Sequence, residues 1–318
     1  MSDTNGDRWQ VLMPDDIHPA GPDSLEDIAD ITRYSEYEDR AAIVADAARF
    51  DAIVERMFEV DETLLDAATN LEIVSKHGVG LDAIDLDAAA ERGIVVCNAP
   101  GANANAVAEH SLGLLFATRR SFRQYDRDMR RGEFDRGRYA AGDLRGDTLG
   151  VLGCGNIGSA IARLADAVGM DVLTHDPYLD EFPDEATPVD SRQELFERSD
   201  AVSLHVPLNE ETAGLVGEAE LSALDGELVN CARGGVVDED ALCDALETGT
   251  VTGAGVDVFA EEPPGEDHPL FAFENVICTP HVGAYTTDAL RAVSVAACEN
   301  VRTAYEGEIP ESAVVVPE

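Results

Sequence analysis

The sequence contains very little lysine and little positive charge of any kind. Its 318 residues include 64 acids against 22 lysines and arginines, a formal net charge of −42, and Lys76 is the only lysine. Acids occur throughout predicted helices and turns, which indicates an acidic surface and not an acidic tail. Such a surface repels nucleic acid and acidic membranes, and we expect neither as a partner.

A surface this acidic repels itself unless salt screens the charges. The Debye length falls to about 3 Å near molar ionic strength, where most of that repulsion is removed. An acidic disordered chain is excluded, because the periodic apolar segments are intact. The composition is similar to that of proteins from salt-accumulating halophiles, and we expect a cytoplasmic protein of a high-salt cytosol.

Long hydrophobic runs and paired cysteines are also missing. No apolar run approaches 18 residues, which predicts no membrane span, and the polar start MSDTNGDRWQ is unlike a secretory signal. None of the six cysteines forms a CxxC pair, and several fall in predicted strands or helices. We expect reduced, buried thiols and predict no metal site.

Short apolar runs alternate with acid-rich amphipathic segments such as Ser35–Ala48 and Asp61–Ala68. This alternation predicts βαβ units, with parallel sheets and helices on both faces. The first strand, Trp9–Met13, follows a lead that we predict to be disordered. The other predicted strands are Ala52–Val54, Leu71–Ser75, Ile94–Cys97, Thr148–Leu152, Asp171–Thr174, Ala201–His205, Glu227–Cys231, Thr252–Asp257 and Val276–Thr279.

One segment has the pattern of a dinucleotide-binding turn. Gly153, Gly155 and Gly158 follow a predicted strand in GxGxxG spacing and open a predicted helix, Asn156–Val168. The first glycine permits a tight turn, the second lets the backbone approach a pyrophosphate, and the third lets helix and strand pack closely. Asp176 lies 18 residues past Gly158, after the next strand, where an acid binds ribose hydroxyls.

The chain is long enough for two domains. Ala99-Pro100-Gly101 interrupts the chain before a long predicted helix, Asn103–Arg120, and marks a boundary. The second domain then extends to about residue 284. Thr287–Glu306 is predicted as a final helix that packs back on the first domain, with no strand after it.

Residues 76–85, KHGVGLDAID, form a glycine-punctuated loop after a predicted strand. In open α/β sheets the carboxyl end of a strand faces the ligand crevice. The backbone N–H groups of Val79 and Gly80 could therefore hold a carboxylate. Lys76 either adds positive charge to the crevice or is simply solvated, and an ordinary strand-to-helix turn remains the alternative for the whole segment.

Three further strand ends carry a guanidinium, carboxylates and an imidazole. Arg233 follows one strand, Asp257 with Glu261 and Glu262 follows the next, and His281 follows the third. Alone, each is more often a surface or structural residue, but strand ends of one sheet converge. Hydride transfer between nicotinamide and a 2-oxo acid requires such a set. Arginine grips the carboxylate, histidine moves the proton, and a neighbouring carboxylate favours protonated histidine.

Five ordered segments resemble the D-isomer-specific 2-hydroxyacid dehydrogenase family over nearly the whole chain. They are GVGLDAIDLDAAAERGIVVCNAPGANANAVAEH, GVLGCGNIGSAIA, NCARGGVVDEDALCDAL, GAGVDVFAEEPP and TPHVGAYT. The resemblance implies an α/β fold of two doubly wound parallel-sheet domains. A Rossmann-type cofactor domain, residues 100–284, would be inserted in a flavodoxin-like substrate domain, residues 1–99 plus 285–318. It also implies reversible reduction of a 2-oxo acid to the D-2-hydroxy acid, with closure of a cleft.

The resemblance assigns roles to residues. It implies that Arg233 binds the substrate carboxylate, that His281, assisted by Glu262, is the acid/base, and that Val79 and Gly80 bind substrate through their backbone.

Two alternatives and a cofactor shell accompany these assignments. Glu261 is the alternative to Glu262, separated from it only by the family register, and His77 is the alternative to His281. The implied cofactor contacts are Gly153, Gly155, Asn156, Ile157, Gly158, Asp176, Val206, Pro207, Thr212, Cys231, Ala232 and Asp257.

The cofactor expected from the sequence is NAD(H). Asp176 would accept both ribose hydroxyls and repel a 2′-phosphate. NADP(H) or dual use stays open, because Pro177 and Tyr178 leave the loop shape undefined and salt weakens the repulsion. Asn209 stands where the family commonly has threonine, which leaves one phosphate-side contact open. Formate dehydrogenases carry glutamine in place of Glu262, which disfavours that branch.

A nucleotide-sensing binding protein, as corepressors resembling this family are, is the alternative to an enzyme. It would bind NADH without turnover, whereas the intact Arg233, Glu262 and His281 set favours catalysis. The resemblance implies a homodimer, with the Asn103–Arg120 helix as its contact. Feedback control by amino acids is not expected, since the long regulatory extension is missing. Glyoxylate, hydroxypyruvate and branched-chain 2-oxo acids all stay open as substrates.

Overall fold

A computed structural model describes residues 8–315; residues 1–7, which hold most of the predicted lead, and 316–318 lie outside the described residues. The strands are β1 (Trp9–Met13), β2 (Ala29–Arg33), β3 (Ala52–Glu55), β4 (Ile73–Lys76), β5 (Val95–Cys97), β6 (Thr148–Leu152), β7 (Asp171–His175), β8 (Thr187–Pro188), β9 (Ala201–Leu204), β10 (Gly226–Asn230), β11 (Val251–Val256), β12 (Val276–Cys278) and β13 (Ala313–Val315). The helices are α1 (Ala20–Asp23), α2 (Arg40–Asp46), α3 (Glu62–Ala67), α4 (Leu86–Glu91), α5 (Ala104–Arg119), α6 (Phe122–Arg130), α7 (Asn156–Ala167), α8 (Arg192–Glu197), α9 (Glu218–Ala223), α10 (Glu239–Thr248) and α11 (Thr287–Tyr305).

The chain divides into two compact units, each built on its own sheet. Unit 1 comprises the residues up to Asn103 and those from Thr286 onward, and unit 2 comprises Ala104–Tyr285. The boundaries predicted after residues 99 and 284 lie within a few residues of these divisions. The predicted class, two α/β units with parallel sheets, is confirmed.

Unit 1 has the strand order β13-β5-β4-β3-β1-β2. The five strands β1–β5 are parallel, and β13 pairs antiparallel with β5, with Ala313 opposite Cys97. The prediction that no strand follows the last helix is therefore wrong. Three residues at a sheet edge carry too short a pattern to be recognised locally. The last helix, α11, packs against α1 and β4, as expected for a return to the first domain.

Unit 2 has the strand order β12-β11-β10-β9-β6-β7-β8, and its strands are parallel. Leu115 of α5 and Ile161 of α7 pack with Leu149 on one face of the sheet. Phe196 of α8 and Leu242 of α10 pack on the other face. After β6 the chain adds β7 and β8 on one side of it and then returns to add β9 on the other side. The strand order therefore reverses at β6, and open α/β sheets bind ligands at such a point.

Some of the acidic excess has a structural use at helix starts. The carboxylates of Asp39, Asp61, Asp85 and Asp238 accept hydrogen bonds from the N–H three residues on and cap α2, α3, α4 and α10. Each such cap stabilises its helix by about 1 kcal/mol and complements the helix dipole.

All six cysteines are free thiols, and Cys97, Cys154, Cys231 and Cys298 are buried. Burial raises the pKa of the Cys97 thiol to about 11, so this thiol stays protonated and unreactive near neutral pH. Within residues 8–315, no helix has both the length and the apolar character required to cross a bilayer.

Candidate active site

The glycine turn of unit 2 connects β6 to α7. Gly153 has φ +87°, and a Cβ there would lie 2.7 Å from the carbonyl oxygen of His205. A Cβ on Gly158 would lie 2.0 Å from the carbonyl oxygen of Gly153, so helix and strand approach more closely than a side chain allows. By contrast, a Cβ on Gly155 would meet no atom within 4 Å.

This open space lies at the start of α7. Gly155 is the residue before the helix, and no side chain caps the N–H groups that follow it. Uncapped N–H groups and the positive end of the helix dipole together attract an anion. The glycine turn therefore fits the pyrophosphate of a dinucleotide, with Asn156 and Ile157 in the first turn.

Asp176 follows β7 beside this turn. Its Oδ2 accepts a hydrogen bond from the backbone N–H of Cys154 at 2.9 Å, and its Oδ1 accepts one from Tyr178 N–H at 3.0 Å. The phenol of Tyr178 is bonded in turn to Glu211. A carboxylate has about four acceptor positions, so two remain for ribose hydroxyls.

The loop after β9 contains Val206, Pro207 and Thr212, which were predicted to contact the cofactor. The Thr212 hydroxyl donates to the Pro207 carbonyl at 2.6 Å, and Asn209 Oδ1 accepts from Thr212 N–H at 3.0 Å. Asn209, the departure from the family pattern, thus closes its own turn. The predicted cofactor contacts of this loop stay predictions.

His205, at the end of β9, was not singled out by the sequence. Its Nε2 lies 2.8 Å from the Ser203 hydroxyl, whereas its buried Nδ1 has no hydrogen-bond partner among residues 8–315. Burial lowers the pKa of His205 to about 3, so the ring is neutral near pH 7. No local pattern distinguishes this enclosed histidine from an exposed one.

A histidine–carboxylate pair lies on the loops after β11 and β12. Nδ1 of His281 is 2.8 Å from Oε2 of Glu262, and the other Glu262 oxygen accepts from Phe259 N–H at 3.1 Å. Of the two adjacent glutamates, it is Glu262 and not Glu261 that reaches the ring. The His281 side chain is 50% exposed, so Nε2 is the ring nitrogen available to a substrate.

The backbone around His281 is held by Asp257 at the end of β11. His281 has φ +53°, a left-handed conformation that is uncommon outside glycine, and its N–H donates to the Asp257 carbonyl at 2.7 Å. The N–H groups of Val282 and Gly283 donate to the two Asp257 carboxylate oxygens at 2.9 and 2.8 Å. One buried carboxylate therefore fixes the loop that presents the imidazole.

Two further side chains complete this network, and the sequence did not reveal either role. The Thr279 hydroxyl donates to Asp257 Oδ1 at 2.5 Å, and Nε2 of His110 lies 3.1 Å from that hydroxyl. Burial opposes ionisation of Asp257, yet the hydrogen bonds from His110, Thr279 and the loop lower its pKa below the usual value. The only sequence signal for His110 is a polar residue within the apolar pattern of α5.

Arg233 follows β10, the neighbour of β11 in the sheet. Its Nη1 donates to the Ala232 carbonyl at 2.7 Å, and Asn230 holds the turn by donating to the Arg233 carbonyl at 3.0 Å. The strands β10, β11 and β12 are adjacent and parallel, so their carboxyl ends lie on the same side of the sheet. Arg233 and the His281–Glu262 pair follow these carboxyl ends. Cys231 and Ala232 are buried, so only their backbone is suited to bind a cofactor.

Unit 1 contributes the 76–85 loop, which follows β4. The Gly78 carbonyl accepts a hydrogen bond from Ala99 N–H at 2.8 Å, and the Val79 carbonyl accepts one from the Asn98 amide at 2.9 Å. These contacts use the carbonyl groups of the loop and leave the N–H groups of Val79 and Gly80 as donors. Carboxylate binding by these two N–H groups stays a prediction.

Lys76 and His77, at the start of this loop, are both largely buried. Lys76 is neither solvated nor an open cation, because its Nζ lies 2.6 Å from Oε2 of the fully buried Glu55. His77 is 6% exposed, and burial is the main cause that lowers its pKa to about 4. A neutral, enclosed imidazole is poorly suited to act as the acid/base.

Residues 112–283 match the family described as "D-isomer specific 2-hydroxyacid dehydrogenase, NAD binding domain". The D-3-phosphoglycerate dehydrogenase of Methanocaldococcus jannaschii is 37% identical over 316 residues, which cover 97% of this chain and 60% of that protein. The chain belongs to this family. It spans about half to three fifths of the length of the curated relatives that it matches.

Solved structures of similar proteins cover the chain almost completely. The NADPH-dependent glyoxylate/hydroxypyruvate reductase of Sinorhizobium meliloti, in complex with NADP and malonate, has a TM-score of 0.87 and 33% identity, and the match covers 98% of this chain and 99% of that one. A glyoxylate reductase from Paecilomyes thermophila has a TM-score of 0.88 and 30% identity, covering 97% and 98%. Membership of the 2-hydroxyacid dehydrogenase family thus agrees in sequence and in fold.

Proposed function

We propose that this family member reversibly reduces a 2-oxo acid to the D-2-hydroxy acid, using a nicotinamide cofactor. The observation that carries the proposal is the contact between His281 and Glu262 at the sheet edge where a glycine turn and Asp176 fit a dinucleotide. An acid/base beside a hydride donor is the minimum set for this reaction.

The glycine turn and Asp176 would hold the cofactor, together with the remaining predicted contacts. When bound, the nicotinamide supplies or accepts the hydride. The backbone at the start of α7 would bind the pyrophosphate, and Asp176 would bind the ribose hydroxyls. The other predicted contacts are Gly153, Gly158, Val206, Pro207, Thr212, Cys231, Ala232 and Asp257.

His281 moves the proton in this proposal. In the direction of reduction, protonated Nε2 donates to the substrate oxygen as it becomes a hydroxyl, and in the reverse direction neutral Nε2 accepts that proton. Glu262 accepts a hydrogen bond from Nδ1, which fixes the ring orientation and stabilises the imidazolium.

Arg233, Val79 and Gly80 bind the substrate carboxylate in this proposal. The guanidinium can make two parallel hydrogen bonds to a carboxylate and polarise the adjacent carbonyl. The N–H groups of Val79 and Gly80 would contribute neutral donors.

NAD(H) is the cofactor we infer, because the carboxylate of Asp176 is held by two backbone N–H groups, and Tyr178, which supplies one of them, hydrogen-bonds a second acid, Glu211, through its phenol. A 2′-phosphate would face these negative charges. Measured kcat/KM values for NADH and NADPH test the inference, and a preference for NADPH would overturn it.

The test of the proposed function is NADH oxidation, followed by absorbance, with a panel of 2-oxo acids in concentrated KCl. The proposal predicts turnover with at least one acid and D-configured product, and loss of turnover in His281→Ala. Tight NADH binding with no turnover for any acid would instead support the nucleotide-sensing alternative.

A high-salt cytosol and a homodimer are further parts of this proposal. The support is the net charge of −42 for the location, and family resemblance for the dimer. Nine residues of α5 are buried, so a dimer contact on this helix would use its exposed residues. Sedimentation and thermal unfolding in 0.1 M and 3 M KCl test both points. A monomer at every salt concentration, or a melting temperature that falls with KCl, would contradict them.

A further inference from the structure

The ammonium group of Lys76, the first residue of the 76–85 loop, forms an ion pair with an acid of unit 1. Lys76 Nζ lies 2.6 Å from Glu55 Oε2, and the two residues stand opposite each other at the ends of β4 and β3. The Lys76 side chain is 14% exposed and that of Glu55 is fully buried. The only lysine of the chain is therefore bound to an inward-facing acid and not directed at solvent.

Glu55 is fixed in place by the backbone around it. Its Oε1 accepts a hydrogen bond from Phe58 N–H at 2.9 Å, and its carbonyl accepts one from His77 N–H at 2.6 Å. Lys76 cannot leave this acid without stranding a buried carboxylate, which is strongly unfavourable. The ion pair is thus a fixed part of the loop's base.

The neighbouring basic groups add no net positive charge. Arg56, next to Glu55, is paired with Asp16 and donates to the Asp16 carbonyl at 2.6 Å. His77 is buried and neutral near pH 7, because burial lowers its pKa. The stem of Lys76 also runs under the loop, since a Cβ on Gly78 would lie 3.4 Å from Lys76 Cε.

We infer that the Lys76–Glu55 pair is a specificity-determining element that confines the substrate to 2-oxo acids whose only anionic group is the carboxylate. A phosphate monoester carries a further −1.5 to −2 charge near neutral pH and needs cationic partners. The loop offers main-chain donors and a cancelled ammonium charge instead. Phosphorylated 2-oxo acids are therefore excluded, although sequence relatives are named for a phosphorylated substrate. The inference rests on the proposed function.

Hydroxypyruvate and its phosphate monoester are the matched pair of substrates for the test, because they differ only in the phosphate. The measurement is kcat/KM for each with saturating NADH in concentrated KCl, together with calorimetric binding of each acid. We expect the wild-type chain to favour hydroxypyruvate at least tenfold in both. Glu55→Gln releases the Lys76 charge and is expected to shift the ratio at least tenfold toward the ester.

Two controls separate the Lys76 charge from a general change in charge. The double variant Glu55→Gln/Lys76→Gln is neutral at both positions and is expected to restore the wild-type ratio. Asp66→Asn removes an acid paired with Arg92 at the C-terminal ends of α3 and α4 and is expected to leave the ratio unchanged. Thermal unfolding and NADH binding confirm that each variant is folded.

The outcomes distinguish the inference from the function beneath it. A wild-type preference for the phosphate ester, or an unchanged ratio in folded Glu55→Gln, would overturn the role of the pair. Turnover of neither acid nor of any other 2-oxo acid would overturn the proposed function, while the calorimetric ratio would still decide whether the pair excludes phosphate.

Discussion

The loops at the carboxyl ends of the strands differ between the two sheets in how they use charged side chains. In unit 1, Lys76 is bound to buried Glu55, and the loop leaves main-chain N–H groups for binding. In unit 2, the His281–Glu262 pair is half-exposed and Gly155 faces open space.

This difference indicates a division of labour within one type of sheet. Neutral main-chain donors can hold an anion without changing protonation, which suits binding. A half-exposed imidazole hydrogen-bonded to a carboxylate can gain and lose a proton, which suits chemistry. We therefore expect side-chain replacements in unit 2 to alter turnover far more than those in unit 1.

The largest expected effect comes from replacing His281 of unit 2, and the same kind of replacement at His77 of unit 1 is the comparison. His281→Ala should lower kcat roughly 10²–10⁴-fold, because the proton transfer loses its donor. His77→Gln should have a far smaller effect, because His77 is buried and neutral. Steady-state kinetics and NADH binding by fluorescence measure both variants. Equal losses in the two would erase the proposed contrast between the units.

The next effect concerns how the 281 loop is held. Asp257→Asn replaces an ionised acceptor of two loop N–H groups, and hydrogen bonds to charged groups contribute about 1.5–3 kcal/mol. We expect the activation free energy to rise by about this amount, and since about 1.4 kcal/mol corresponds to a tenfold change in rate, kcat should fall about 10- to 100-fold. The pH profile of kcat should change as well. Thr279→Val should act in the same direction, and Thr279→Ser, which keeps the hydroxyl, is its control. A kcat unchanged in both Asp257→Asn and Thr279→Val would mean that the network does not position His281.

A smaller effect tests His205 in unit 2 and His77 in unit 1, the two histidines whose pKa desolvation lowers. His205 has an ordinary pKa of 6.5 when unfolded and about 3 when folded, so the unfolded chain binds the extra proton. The stability from the neutral ring is present above pH 6.5 and is lost as the pH falls toward 3. One such histidine should cost about 2 kcal/mol of unfolding free energy by pH 5.

Denaturant unfolding at pH 7 and pH 5 in molar KCl measures this loss. The His205→Gln variant should lose about 2 kcal/mol less than the wild-type chain over this range. His77, in unit 1, should behave in the same direction over the narrower window from 6.5 to about 4. Parallel pH dependence in wild type and variant would show that the ring is not held neutral.

The smallest expected effect is on the choice of cofactor. Asp176→Asn removes one negative charge while keeping an acceptor oxygen, and it should shift the NADH-to-NADPH ratio of kcat/KM roughly tenfold toward NADPH. Asp180→Asn, farther along the same loop, is the control. Equal shifts in both would indicate a general charge effect and no specific role for Asp176.

The sequence was sufficient for features that depend on local pattern. Apolar runs predicted most strands of both sheets, and the spacing of Gly153, Gly155 and Gly158 predicted the turn after β6. Strands with little pattern were missed. β2 mixes polar and apolar residues, and β13 has only three residues at an edge. The amphipathic segment Ser35–Ala48 is helical only over Arg40–Asp46, flanked by short 3₁₀ turns.

Contacts between distant residues could not be predicted in the same way. His110 and Thr279 are 169 residues apart, and only the packing of α5 against the sheet brings them together. Two adjacent glutamates were equivalent in the pattern, and the hydrogen bond from Phe259 N–H is what sets Glu262 toward the ring. The partner of Lys76 likewise lies on a neighbouring strand.

The most direct test of the central claim follows the hydride and the acid/base together. NADH deuterated at both C4 positions is incubated with hydroxypyruvate, and the product is analysed for chirality and for deuterium at C2. The account predicts that the wild-type chain forms D-configured product with one deuterium at C2. It predicts that His281→Ala forms almost no product in the same time. Product without deuterium, L-configured product, or equal yield from the variant would contradict it.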